Sequence, residues 1–310
     1  MKFAVITDTH YVYPTGDADS HLWNKQLLSM TETLADRLVK RIRAAGVDFV
    51  IHCGDLTHDG DHASMEFAKE TFSQFGCPIF IIPGNHDTAE NNSRELLASW
   101  FCMKDNRSFY MELIGDLRFV FIDTAYGHLA DGTETAVMKW RDKSAYRGAG
   151  PSAEQLDWLA EEFARDTIVP TIVVAHHPFA AKPAYPQRLP RLPNDLATRT
   201  RQPDKALFPI YSERLLSLVC ANPNVKAVFA GHWHINDAFD VGATKFIYTS
   251  SLIEFPFEFR IVEVKGDKLS STLMPLEGDD LSKLSLVPEW NNSWARGEEG
   301  DRVIELLLRN

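Results

Sequence analysis

Carboxylates, imidazoles and one amide recur in this sequence in five short clusters, each directly after an apolar run. The clusters are Asp8-Thr9-His10, Gly54-Asp55, Gly84-Asn85-His86-Asp87, His176-His177-Pro178 and Gly231-His232-Trp233-His234. Carboxylate oxygen, amide oxygen and imidazole nitrogen are donors that suit Mn, Fe, Co, Zn or Ni. Two aspartates with several histidines exceed what one ion needs, and a carboxylate such as Asp55 can bridge two. Paired ions about 3.5–4 Å apart stabilise the attacking and leaving oxygens of an in-line displacement and bring hydroxide within reach near neutral pH. Singly, each cluster has a plainer reading. Asp8 can cap a chain turn, Gly54-Asp55 and Gly84-Asn85 can be turns because Gly and Asn tolerate positive φ, and His176-His177 can be a strand end with one satisfied core histidine. Five in order, each behind a strand, point to one metal site.

The elements that must position these clusters alternate between strand and helix, the pattern of a layered α/β sheet. Apolar runs predict strands at Lys2 to Thr7, Phe49 to Cys53, Ile79 to Ile82, Thr171 to Ala175 and Val225 to Ala230. Leu27, Leu34, Leu38 and Ile42 recur at helical spacing before Gly46, and further helices are predicted over His62 to Phe75 and Ser212 to Cys220. Phe109 to Leu113 and Leu117 to Ile122 read as a hairpin across Gly115-Asp116. Ser152-Ala153-Glu154-Gln155 reads as a capping box that opens a helix with Leu156, Leu159 and Phe163 inward. Short β-like runs follow from Asp237 to about Leu276, and Arg302 to Leu308 reads as a final short helix. In such sheets, functional groups gather beyond the carboxyl ends of the strands, so the five clusters converge on one edge.

Composition bounds the partners. The 310 residues are 45% hydrophobic, enough for a sizeable core, with no apolar run long enough to span a membrane. The net charge of −11 argues against nucleic-acid backbone as the main partner. No h-region opens the chain, and four scattered cysteines without CxxC predict free, mostly buried thiols and a cytoplasmic setting. Two stretches read as loop insertions, at about 127–150 and 181–205. The second carries five prolines, and its six basic against two acidic residues give a net charge of +4. Such a loop either closes over an anionic ester or is a solvated excursion. Trp290 and Trp294 in the loop-like tail would make a homo-oligomer if they form a subunit contact.

The full set of clusters resembles the calcineurin-like metallophosphoesterase superfamily, whose pattern D-x-H, G-D-x-x-x-x-G, G-N-H-[DE], H-H and G-H-x-H stands here complete, with Gly54 to Gly60 as its second element. The resemblance covers roughly residues 1–260. It implies an α/β four-layer αββα sandwich, two mixed β-sheets flanked by helices. The domain would run over 1–276, with 277–310 as a C-terminal extension. It also implies two divalent or trivalent transition-metal ions, of the Mn, Fe, Zn or Co type. Carried over by position, Asp8, His10, Asp55 and His234 would hold the first ion, and Asp55, Asn85, His176 and His232 the second, with Asp55 and a hydroxide bridging. His86 would be catalytic, stabilising phosphoryl oxygens or protonating the leaving group. His177 and Asp87 would support the ligands from behind. The spacing of the second and third clusters, His-His-Pro and Gly148 to Leu159 are similar to those of bacterial class III cyclic-nucleotide phosphodiesterases and glycerophosphodiesterases. That likeness implies a phosphodiesterase for small organic phosphodiesters. The rival readings are a phosphomonoesterase with the same metals and a metal-binding scaffold without catalysis.

Overall fold

The computed structural model describes residues 1–15, 19, 26–139, 145–182, 208–276, 279–286 and 292–309. Two six-stranded mixed sheets form its centre. In the first, β1 (Lys2–Ile6), β2 (Phe49–His52) and β3 (Ile79–Ile81) run parallel, and β13 (Glu258–Lys265), β14 (Lys268–Pro275) and β15 (Val303–Leu307) extend the β1 edge as an antiparallel meander. In the second, β5 (Leu117–Ile122), β9 (Thr171–Ala175), β10 (Val225–Ala230) and β12 (Thr244–Tyr248) are parallel, flanked by antiparallel β4 (Tyr110–Ile114) and β11 (Asp237–Val241). The parallel strands are buried almost throughout, as continuous apolar runs covered on both faces must be.

The two sheets meet through phenylalanines. Phe3 and Phe49 stand edge-on to Phe119 at 5.6 and 5.7 Å, and Phe80 stacks on Phe121 at 5.9 Å. Helices cover the outer faces. Against the first sheet, α1 (Thr31–Ala45) buries Leu34, Leu38 and Ile42 and stops at Gly46 in the left-handed conformation. Beside it, α2 (His62–Ser73) starts at Asp61, whose carboxylate accepts the Ser64 N–H, and sets Phe72 5.5 Å from the His52 ring. Over the second sheet, α4 (Ala153–Arg165) buries Leu156, Leu159 and Phe163, and the Arg118 guanidinium of β5 lies over the Phe163 ring. Between α2 and α4 in the chain, α3 (Ser93–Trp100) packs on α2, and the later α5 (Ser212–Cys220) packs on α4. The expected four layers are present.

Several expectations need correction. Part of 127–150 is not an open loop: β6 (Tyr126–Leu129), β7 (Glu134–Thr135) and β8 (Tyr146–Gly150) form a small third sheet, with 140–144 outside the described residues. The run at 302–308 is a strand and not a helix, because pairing with β14 buries Ile304 and leaves Val303 and Leu307 outward. The capping box at Ser152 is half made. Ser152 Oγ accepts the Gln155 N–H at 3.3 Å, but the Gln155 amide turns away to bracket the Asp123 backbone. Of the four free cysteines only Cys53 is fully buried, and Cys102 is exposed. Trp294 is half-buried against the core, and Trp290 lies outside the described residues. Most of the basic insert, 183–205, also lies outside them. Its first cation, Lys182, is tied down between Asp237 and Asp301. Among the described residues no helix is long and apolar enough to cross a membrane.

Candidate metal centre

Strand register brings the clusters together. Ile6 pairs with His52 and Ile122 with Ala175, so the chain leaves β1 beside β2, and β5 beside β9. The exits stay paired beyond the strands: Asp8 N–H donates to Gly54 O at 3.0 Å, His10 N–H to Asp55 O at 3.1 Å, and Gly231 N–H to His176 O at 3.1 Å. The two sheets are joined at this edge by His176, whose Nδ1 donates to Cys53 O at 2.8 Å.

Among the described residues, the side chains then face one another in four groups: His10 with His58 and His86, His176 with His177 and His232, and two further groups that share the Asp8 carboxylate. Asp8, His10 and His234 form one group, and Asp8, Asp55 and His176 the other, with one ligand atom from each residue inside 4.8 Å of its companions. Asp8 Oδ1 lies 3.1 Å from His234 Nε2 and 3.7 Å from His10 Nε2. Asp55 Oδ2 lies between the groups, 3.6 Å from His10 Nε2 and 3.2 Å from His176 Nε2. The His232 ring stands 5.0 Å from His176 and 4.1 Å from His177. Buried Asp8 Oδ1, Asn85 Oδ1 and His176 Nε2 make no well-directed hydrogen bond, the first and last being met by His234 Nε2 and Asp55 Oδ2 at ion-pair distance. A buried polar atom left without a hydrogen bond costs about 1–3 kcal/mol. Three such atoms, all of metal-ligating type and all on the sequence-predicted ligands, fit a pair of cations.

The backbone is bent to make this possible. Among the described residues, eleven non-glycine residues have positive φ, and Asp8, His10, Asp55, His232 and His234 are five of them. Left-handed backbone outside glycine costs on the order of 1–3 kcal/mol and collects at functional sites. The motif glycines serve close approach. A Cβ at Gly84 would sit 2.1 Å from Asp55 Oδ1, at Gly54 2.7 Å from His176 Nδ1, and at Gly231 2.0 Å from Thr7 Oγ1.

Around these side chains, others fix rotamer and charge. Asp55 Oδ1 accepts the His86 N–H at 2.8 Å, and His86 Nδ1 donates to His58 O at 2.6 Å. His86 stands edge-on to His10 at 4.6 Å. Among the described residues, the Asp87 carboxylate hydrogen-bonds no histidine. Its two oxygens accept the N–H groups of Gly84, Leu56 and Thr57 and the Thr57 hydroxyl, tying the third cluster to the second. His177 pairs through Nδ1 with Thr124 Oγ1 at 2.9 Å.

Burial alone would raise both carboxyls, but His234 pulls Asp8, and His176 with His86 pulls Asp55, well below the usual range. Burial likewise opposes the rise of His176 to about 9, which the Asp55 charge produces. His232 falls to about 3 through burial and then the nearby His176 charge, and burial keeps His86 well below its ordinary value. Burial and the Asp55 charge push Asp87 up to about 6.

Three neighbours were not singled out by the sequence. His58, inside the Gly54 to Gly60 segment, faces His10 Nδ1 to Nδ1 at 3.4 Å, and its presence within the motif was a usable signal. His52 bonds Thr9 Oγ1 at 3.1 Å and takes the Gly54 N–H at 3.1 Å. Glu254 receives the Nδ1 proton of His234, and nothing local in the sequence marks it.

Comparison with known proteins follows the same line. A family model described as calcineurin-like phosphoesterase matches residues 1–236. The chain is similar to a probable glycerophosphodiester phosphodiesterase GpdQ of Arcobacter nitrofigilis, 29% identical over 42% of each chain. It is also similar to a probable cyclic nucleotide phosphodiesterase of Synechococcus, 28% identical over 57% of this chain and 58% of the relative, so about half of each of these two relatives is spanned. A 3',5'-cyclic-nucleotide phosphodiesterase of Nostoc is 24% identical over 76% of this chain and 71% of its own. Among solved structures, a dimetal phosphatase from Danio rerio shares the fold, with a TM-score of 0.66 at 18% identity over 89% of this chain and 96% of that one.

Proposed function

The chain belongs to the calcineurin-like phosphoesterase family, and on that premise we propose that it is a dinuclear metal-dependent phosphodiesterase for small organic phosphodiesters, of the cyclic-nucleotide or glycerophosphodiester class. The observation that carries the reading is Asp55 Oδ2 lying between His10 Nε2 and His176 Nε2, with Asp8 and His234 on the first side. Asp8, His10, Asp55 and His234 would hold one ion. Asp55, Asn85, His176 and His232 would hold the other. Bound there, two ions of the Mn, Fe, Zn or Co type supply Lewis-acid charge that neutralises phosphoryl oxygens and makes water a nucleophile near neutral pH. The diester specificity draws support from the named activities of the relatives in Arcobacter, Synechococcus and Nostoc.

The protein's own part centres on His86. Its Nδ1 proton is committed to His58 O, so in the neutral ring Nε2 carries the lone pair. Nε2 therefore takes up a proton before it can give one to the departing oxygen. An anionic ester beside it favours that charged form. Asp55 holds the His86 backbone through the N–H bond, so ligand and proton carrier keep a fixed separation.

The test is hydrolysis by the Mn²⁺-loaded protein of cyclic AMP, glycerophosphocholine, bis-p-nitrophenyl phosphate and p-nitrophenyl phosphate. Preference for the diesters is expected, with a rate loss of roughly 10²–10⁴ in His86→Ala. Preference for the monoester would refute the diester assignment, and inactivity on all four would refute the enzyme reading for these classes.

A further inference from the structure

We propose that Glu254 is the positioning residue for His234, fixing the tautomer that turns Nε2 towards Asp8 and lending the ring negative charge. This rests on the metal reading above. Glu254 lies beyond the 1–236 family match, in the 249–257 connection between β12 and β13. It is 2% exposed. One oxygen, Oε1, takes the His234 Nδ1 proton, while Oε2 is buried without a partner. A buried carboxylate with one donor and one bare oxygen is unfavourable for folding, so stability does not account for it.

Its effect falls on the ring it touches. With Nδ1–H committed to Glu254, Nε2 is the ring atom that faces Asp8 Oδ1, at 3.1 Å. Ligand histidines commonly pass their second N–H to an outer acceptor, which orients the ring and raises its basicity. The histidines here use different partners: a carbonyl for His176, an imidazole for His10 and a carboxylate for His234. Of these three partners, the carboxylate is the one that brings a full negative charge. The 249–257 connection is also anchored to the ligand on the other side of the ring. Ser251 Oγ and Leu252 N–H donate to Asp8 O at 2.9 and 3.2 Å. Phe255 N–H donates to Ser285 Oγ in α6 (Asp279–Ser285) at 2.8 Å. Asp8, His234 and Glu254 therefore form one braced row.

The experiment is Mn²⁺ titration of the chelator-stripped full chain, with free Mn²⁺ read by electron paramagnetic resonance and folding read by circular dichroism. Wild type, Glu254→Gln and Glu254→Ala are compared. In Glu254→Ala, affinity at one of two sites is expected to fall about ten- to a hundredfold while the other holds. Glu254→Gln, which keeps shape and an acceptor but no charge, should lose less. If the alanine variant fails to fold, the near-isosteric glutamine variant decides: weaker binding at one site supports the role, and unchanged binding overturns it. Two equivalents bound at wild-type affinity by both variants would overturn this inference alone. Wild type taking up no Mn²⁺ would overturn the metal reading together with it.

Discussion

Replacing Gly84 by alanine isolates one methyl group at the centre of the site. Gly84 has no positive φ, so its backbone would accept alanine, and the obstacle is space alone. The new Cβ would lie 2.1 Å from Asp55 Oδ1 and 2.3 Å from Asp55 N. A tolerable contact begins near 3.0 Å, so Asp55 or the 84–87 turn has to move by about 1 Å, and overpacking of this kind costs about 1–3 kcal/mol. Asp55 cannot yield freely, because its carboxylate holds the His86 N–H and its carbonyl holds the His10 N–H. A shift of about 1 Å at reacting groups costs roughly 10² in rate, and here it falls on the residue shared by both proposed ions. Urea unfolding, Mn²⁺ stoichiometry and kcat on bis-p-nitrophenyl phosphate would read the three consequences. Gly46→Ala is the matched control. It meets nothing within 4 Å but has a φ of +59, so it should lose about 1 kcal/mol of stability to left-handed strain and keep its rate. Gly84→Ala with wild-type metal content and kcat would refute the argument that close approach of Gly84 to Asp55 shapes the site.

Two further outcomes follow from the surroundings of the ligands. Asp87→Asn turns one acceptor oxygen into a donor, and each oxygen now serves two donors; a loss of about 2 kcal/mol or more in urea unfolding is expected, and an unchanged midpoint would refute the tethering role. In the metal-free protein, burial opposes but the Asp55 charge overrides it to raise His176 from 6.5 to about 9. The stability this contributes is fully present below about pH 6.5 and is lost as pH rises through about 9. A metal ligand must be neutral, so Mn²⁺ affinity should climb between pH 7 and 9, by up to about tenfold per unit for this group, and level off above. Affinity that is flat over that range, measured by titration at each pH, would contradict it.

The strands that carry the site were legible because they are buried on both faces and therefore read as unbroken apolar runs, each stopped by a ligand cluster. Phe3 to Ile6, Phe49 to Ile51 and Ile172 to Ala175 are of this kind. The small sheet at β6 to β8 was not legible. Its residues are mostly polar or glycine, and its cohesion comes from backbone pairing such as Gly127 with Ala149, which leaves no hydrophobic period. The run at 303–307 was ambiguous because five mostly apolar residues fit a helix turn or a strand equally well. Its partner, Lys268 to Thr272, decided the matter across thirty-odd residues of chain. The residue types brought together at the site could be read from the clusters, but their outer partners could not. Glu254 meets His234 through a tertiary turn, and Asp87 faces backbone N–H groups that carry no sequence signal.

The place of β1 between β2 and β13 has a consequence for synthesis. One edge of β1 can pair as soon as Phe49 to His52 have been made, but the other waits for Arg260 to Glu263. At about 5–20 residues per second, that interval is roughly 10–40 s of translation. Throughout it Asp8, at the end of β1, also lacks Ser251 and Leu252, which grip its carbonyl. The first of the proposed ligands in the chain is thus among the last to be secured, and on the proposed metal reading ion uptake would belong to the nearly finished polypeptide rather than to the nascent one.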